Sequence, residues 1–144
     1  MAEAFSYARI EAESSMLRWF MSRHGDAVIA EHPGLLARLA GGPCEVALVF
    51  RGDRVAALAA WGAFGPGEAE LVAAYSTDPR VEPWEFLFGA AGPLAGAGLA
   101  RVWLWTDRPA QAKRWRGRGF AAAPGPGAER GAARGAQRLG RLVG

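Results

Sequence analysis

One stretch constrains this chain more than any other: LARVWLWTDRPAQAKRWRGRGF, from Leu99 to Phe120. Val102, Trp103, Leu104 and Trp105 form a strand over Arg101–Thr106 that is apolar on both faces. Such a strand belongs inside a sheet, covered by helices. Asp107-Arg108-Pro109 stops it. A helix over Pro109–Arg116 comes next, with proline in its first turn, and Gly119-Phe120 closes the unit. The chain must therefore build a sheet with helices packed on it.

The remaining segments fit that demand. Phe5–Ile10 alternates aromatic and polar residues and reads as a strand. Ser14 or Ser15 can cap a helix that puts Met16, Leu17, Phe20 and Met21 on one face and ends at His24-Gly25. A second helical patch over Gly34–Ala40 comes after Pro33 and stops at Gly41-Gly42-Pro43. Strands Glu45–Phe50 and Arg54–Trp61 flank Arg51-Gly52-Asp53, a tight hairpin signal. Glu68–Ser76 is a further strand, broken by Thr77-Asp78-Pro79. A helix over Trp84–Ala100 carries five glycine or proline residues and is expected to kink near Pro93. A short last strand is expected near Ala121–Ala123. The order predicts an α/β (α+β) fold, a mixed and largely antiparallel sheet flanked by helices. The domain spans 1–123 with its core ending near Phe120. Residues 124–144, rich in Gly, Ala and Arg, read as a basic tail.

Charge is divided unevenly along the chain. Residues 1–100 carry seven arginines against twelve carboxylates, a net of −5; residues 101–144 carry nine arginines and Lys113 against Asp107 and Glu129, a net of +8. A basic third on an acidic body points to an anionic partner, either another protein subunit or nucleic acid. Arg108, Arg114, Arg116 and Arg118 cluster around Trp115. Arg130, Arg134, Arg138 and Arg141 recur at helical spacing and would share one helix face. The test of that stripe is whether the chain self-assembles through it. One cysteine, Cys44, excludes an intrachain disulfide and reads as a buried structural thiol. His24 and His32 sit beside turn residues and read as surface histidines; no metal site is expected. The N-terminus lacks an apolar signal core, and no apolar run approaches the roughly 18 residues of a membrane span. A cytoplasmic or virion location is expected.

The element order and the closing strand–helix–Gly-Phe unit resemble the GNAT N-acetyltransferase family over about residues 5–123. In that family a Val-x-Pro-like step ends a strand, and an Arg/Gln-x-x-Gly-x-Gly/Ala loop opens the next helix. Its backbone N–H groups hold the pyrophosphate of coenzyme A. Here Thr77-Asp78-Pro79 matches the step. The next segment, Arg80-Val81-Glu82-Pro83-Trp84-Glu85-Phe86, has no glycine, lacks one donor at Pro83 and opposes a pyrophosphate with Glu82 and Glu85. If acetyl-coenzyme A binds, the resemblance places it against Thr77, Pro79, Trp84 and Glu85. The family's thiolate-protonating tyrosine, four residues before the closing Gly, falls on Trp115, whose indole N–H is far too weak an acid. The family's asparagine falls near Arg108. Glu70, Tyr75 and Ser76 are the candidates for catalysis on the central strand.

The stretches Ala73–Asp78, Pro83–Leu87 and Arg101–Phe120 are similar to the small GNAT-like proteins of tailed phages, the internal virion protein A type. That resemblance implies a virion structural or accessory component that has lost acetyl transfer and needs no cofactor. Two alternatives stand beside it. One is an active acetyl-coenzyme A-dependent N-acyltransferase with an atypical pyrophosphate loop. The other is a nucleic-acid-associated adaptor that uses the basic C-terminal third.

Overall fold

The computed structural model describes residues 4–41, 44–77, 81–106, 108–122 and 137–144. Chain order is β1 (Phe5–Ile10), α1 (Ser15–Glu31), α2 (Leu35–Gly41), β2 (Glu45–Arg51), β3 (Arg54–Gly65), β4 (Glu68–Ser76), α3 (Val81–Phe88), α4 (Pro93–Gly96), β5 (Arg101–Thr106), α5 (Pro109–Arg116), β6 (Ala121–Ala122) and β7 (Gln137–Leu142). The strands form one sheet in the order β1-β2-β3-β4-β5-β7-β6. Neighbours are antiparallel except β4 and β5, which run parallel. The expected mixed, largely antiparallel sheet flanked by helices is therefore present.

Side-chain alternation sorts the core into two layers. Val46 and Leu48 of β2 face α1 and α2, meeting Leu17, Phe20, Val28 and Leu35. Ala47 and Val49 face the other way, toward Trp84, Leu87 and Phe88 of α3 and Trp115 of α5. On β4 the parity breaks. Ala60 pairs with Ala73 but Trp61 pairs with Leu71, so Val72 is an extra, bulged residue. Ala69 and Leu71 point to the α3–α5 layer before the bulge, and Ala74 after it. A bulge re-aims a strand in this way.

Several expectations are corrected. Helix α1 does not stop at His24-Gly25. Ser14 caps it, its side chain accepting from the Met16 N–H at 3.1 Å, and it runs to Glu31. Burial of Gly25 and Val28 outweighs the roughly 1 kcal/mol that a helical glycine costs. On its outer face, Met16 is exposed rather than core. The expected helix over Trp84–Ala100 is two helices, α3 and α4. Between them, a Cβ at Gly92 would collide with the Phe86 carbonyl, so the chain turns there and Pro93 opens α4.

The largest correction lies at the chain's end. Residues 137–142, read from sequence as tail, form β7, which pairs with the whole of β5 and with β6. The core therefore does not end at Phe120: Leu139 is fully buried. Gly-Ala-Arg composition masked a strand whose few apolar residues are placed where the sheet needs them. Strand β5 is likewise covered differently from expectation. Val102 and Leu104 join the α3–α5 core, whereas Trp103 and Trp105 belong to neither cluster. Trp103 is 5% exposed beneath the guanidinium groups of Arg138 at 3.9 Å and Arg101 at 5.2 Å. Trp105 is 36% exposed.

These placements set two stability outcomes. Trp103→Ala is expected to cost about 3–5 kcal/mol in urea unfolding, and Trp105→Ala about 1 kcal/mol. Removing residues 137–144 is expected to abolish the cooperative unfolding transition seen by circular dichroism. A truncated chain that melts like the full one would show that β7 is dispensable.

Candidate functional site

The pairing of β4 with β5 covers three register pairs, Glu68 with Arg101, Ala69 with Val102 and Glu70 with Trp103. Beyond them β4 continues to Ser76 and β5 to Thr106 without pairing to each other. A cleft of about 320 Å³ opens between the diverging strands, walled by β4, β5, the end of α1 and the inner side of α5.

Helix α1 delivers two titratable groups to this cleft because it runs past Gly25. His32 is its C-cap residue, the backbone N–H donating to the Val28 carbonyl at 2.8 Å, and its ring reaches across with Nε2 3.0 Å from the Ala74 carbonyl oxygen and 3.3 Å from the Ala74 nitrogen. The Nε2–H tautomer donates to the carbonyl; the other tautomer accepts from the amide. Either way the imidazole sits on the edge of β4 just past the bulge. Burial is the main influence on His32 and lowers its pKa from 6.5. The hydrogen bond to Ala74 and nearby Glu31 push it upward, while Arg118 and Arg114 push it down. Glu31 is held in turn. Arg114 donates to its carboxylate at 2.9 Å, and Gln111 donates to its backbone carbonyl at 3.1 Å. The Thr106 hydroxyl bonds to Gln111 at 3.1 Å. The end of β5, the inner face of α5 and the end of α1 are thus tied by one polar chain. The expectation of a surface histidine fails at His32, because the helix carries it inward. His24 is half-buried too, 4.9 Å from the Phe20 ring.

The residues singled out from sequence divide. Glu70 lines the cleft, where Arg38 holds its carboxylate at 2.9 Å. Tyr75 points to the α1 layer and packs edge-on to Phe20 at 6.3 Å and near His24 at 6.1 Å. The Ser76 hydroxyl lies 3.5 Å from the Ala56 carbonyl. Thr77 donates to the carbonyls of Ala56 at 3.1 Å and Val55 at 3.3 Å, which pins the end of β4 to β3. Pro79 lies outside the described residues. Trp84 is buried, stacked on Phe88 and edge-on to Trp115 at 5.9 Å. Cys44, expected to be buried, is half-buried, and that burial pushes its thiol pKa up. Among the described residues no three His, Cys, Asp or Glu side chains converge as a metal site, and no helix is long and apolar enough to cross a membrane.

The expected arginine helix face is not present. Arg138 and Arg141 lie on strand β7, three residues apart and so on opposite faces. Arg138 covers Trp103, and Arg141 lies 4.6 Å over the Phe88 ring. Arg130 and Arg134 lie outside the described residues. Arg108 lines the cleft, its backbone N–H on the Thr106 hydroxyl, and Arg116 is exposed. Arg118 turns inward. Its guanidinium lies 3.9 Å over Trp84 and 4.7 Å over Trp115. Its Nη1 is buried with no hydrogen-bond partner among the described residues. A second groove, about 470 Å³, runs along α3 and α5 beside it. Trp84, Glu85, Arg114, Arg118 and Arg141 line it.

Comparison of the whole chain with known proteins places this architecture. No protein-family model and no curated protein sequence matches it. Solved structures do. An IAA acetyltransferase from Bacillus cereus is 11% identical with a TM-score of 0.60, over 97% of this chain and 100% of that one. A Bacillus subtilis acetyltransferase solved in complex with CoA is 11% identical with a TM-score of 0.58, over 97% and 99%. An aminoglycoside 6'-acetyltransferase type Ii is 11% identical with a TM-score of 0.59, over 95% and 96%. At this identity the likeness is one of fold, and the fold is that of the GNAT acetyltransferases.

The direction of the His32 shift sets a pH dependence. Folded His32 titrates below 6.5, so the unfolded chain takes up the proton first as pH falls. Its contribution is fully present above 6.5 and is lost progressively as pH drops from there toward the folded pKa. Urea unfolding of the wild type is expected to lose more stability between neutral and mildly acidic pH than that of His32→Gln. Equal slopes would remove His32 as the cause.

Proposed function

We propose that this chain uses the GNAT scaffold as a binding or accessory module and does not transfer acetyl groups. One observation supports this above the rest: the side chains at the place of a coenzyme A arm are two buried tryptophans with an arginine packed on them. The family resemblance puts the pyrophosphate at the opening of α3 and the thiolate beside position 115. Between these points stand the Trp84 ring, the Trp115 ring edge-on to it and the Arg118 guanidinium packed against both. Stacking of arginine on tryptophan favours that packed arrangement, by about 2 kcal/mol where it is desolvated. Trp115 brings no hydroxyl to protonate a thiolate. Glu85 adds negative charge where a pyrophosphate would approach. The residues present do not fit the coenzyme. Neither the fold nor its structural relatives speak for the virion role that the phage resemblance implies.

A second reading, an acetyl-coenzyme A-dependent N-acyltransferase, is favoured by His32. A buried, neutral imidazole on the edge of β4 is a base of the right kind to take a proton from an amine in the cleft. One of the structural relatives was solved with coenzyme A.

Calorimetric titration separates the two. Acetyl-coenzyme A is expected to bind no more tightly than about 1 mM. A micromolar dissociation constant would overturn the first reading. Release of free thiol with an amine acceptor, reduced in His32→Gln, would then establish the second.

A further inference from the structure

Side chains rather than a ladder span the cleft where β4 and β5 part, and one of them changes charge near neutral pH. His32 places Nε2 on the Ala74 backbone of β4. The residue before it, Glu31, turns one carboxylate oxygen to Arg114 at 2.9 Å and the other toward His32 Nε2 at 4.0 Å. Gln111 donates to the Glu31 carbonyl and also meets Thr106, the last residue of β5. Residues 31 and 32 therefore hold β4 on one side of the gap, and α5 with the end of β5 on the other. Three charged groups act on the ring. Glu31 draws a proton to it, while Arg118 and Arg114 oppose one. The Trp115 ring lies against it at 5.9 Å. Glu70 and Arg108 share the cleft, Glu70 being held by Arg38. The His32 side chain keeps 13% of its surface exposed, so protons from solvent reach it.

We propose that Glu31 and His32 form an acid-released latch: proton uptake by His32 withdraws its ring from Ala74, the end of α1 then lets go of α5, and the β4 and β5 sides of the cleft separate. A protonated imidazole carries N–H on both nitrogens, so it can no longer accept from the Ala74 amide. Its charge would be buried beside two guanidinium groups, which is costly unless it is paired. Glu31 Oε2, 4.0 Å away, is a carboxylate within its reach. Turning to the ring takes that carboxylate from Arg114, so the second grip fails with the first. A released ring faces water and titrates near its ordinary 6.5, whereas burial holds the latched ring below that value. The latched state therefore prevails above 6.5. Opening grows as pH falls from there, by at most about tenfold per pH unit for one proton. The latch acts on the cleft whatever ligand it takes, so it does not depend on whether coenzyme A binds.

Hydrogen exchange read by mass spectrometry over a pH series from about 7.5 to about 5.5, corrected for the intrinsic rate at each pH, tests it. Peptides from the end of β4 and from α5 are expected to lose protection severalfold at the acid end, while those from β2 and β3 keep theirs. His32→Gln, which does not titrate in this range, should remove the pH dependence. Glu31→Gln takes away the carboxylate that draws the proton, so the transition should move to lower pH. If His32→Gln fails to fold, the direction of that move decides the matter. Protection lost equally from β2 and β3 would reduce His32 to its effect on overall stability and overturn the latch. So would protection of β4 and α5 that is the same across the series, a pH dependence that survives in His32→Gln, or a transition that Glu31→Gln leaves in place.

Discussion

Among the described residues, three residue pairs between β4 and β5 are the one backbone ladder that joins the two parts of this sheet. The antiparallel meander of β1 to β4 and the β5-β7-β6 group meet through Glu68–Glu70 and Arg101–Trp103 alone among the strand pairings. The Gly67 carbonyl reinforces the junction, accepting from the Ala100 and Arg101 N–H groups at 2.6 and 3.2 Å. A longer ladder would make a stiffer sheet and leave no cleft. The short one lets the strands part. The parted edges then need partners, since backbone groups left dry and unpaired are costly.

His32 answers that need on the β4 side, at Ala74. It reaches there because α1 is long enough to end over the cleft, and Arg114 and Gln111 of α5 then grip that end from the other side of the gap. The cleft is therefore bridged by side chains where backbone pairing stops. Such bridges are polar and titratable, so their strength depends on solution conditions in a way that a β-ladder's does not.

Much of this fold was legible in the chain. Strands β1, β4 and β5 and helix α5 have the ends that alternation, prolines and glycines mark. What escaped had physical reasons. Gly25 looks like a helix stop, but burial against the sheet keeps α1 helical. Without the last turn of that helix, Glu31 and His32 could not be placed in a site. The arginine spacing of 130, 134, 138 and 141 mimics a helix, yet Leu139 between Arg138 and Gly140 is what the sheet needed. Arg118 is grouped by sequence with Trp115 in a basic, aromatic-bearing cluster, and the structure packs it against that ring. Its inward turn depends on Trp84, thirty-four positions earlier, and no local pattern announces that partner. Nothing in spacing alone distinguishes a solvated cation from one packed against two rings.

The place of β7 in the sheet has a consequence for biosynthesis. The strand made last of the seven lies in an interior position, between β5 and β6. While the chain emerges, β5 stays bare along the edge that Leu139, Arg138 and their neighbours later cover. That edge carries two tryptophans and a valine, which is the kind of surface that recruits other strands. Until β7 is made, β5 presents an unpaired edge of this kind, and a pause in synthesis before residues 137–142 prolongs its exposure to aggregation and to chaperones.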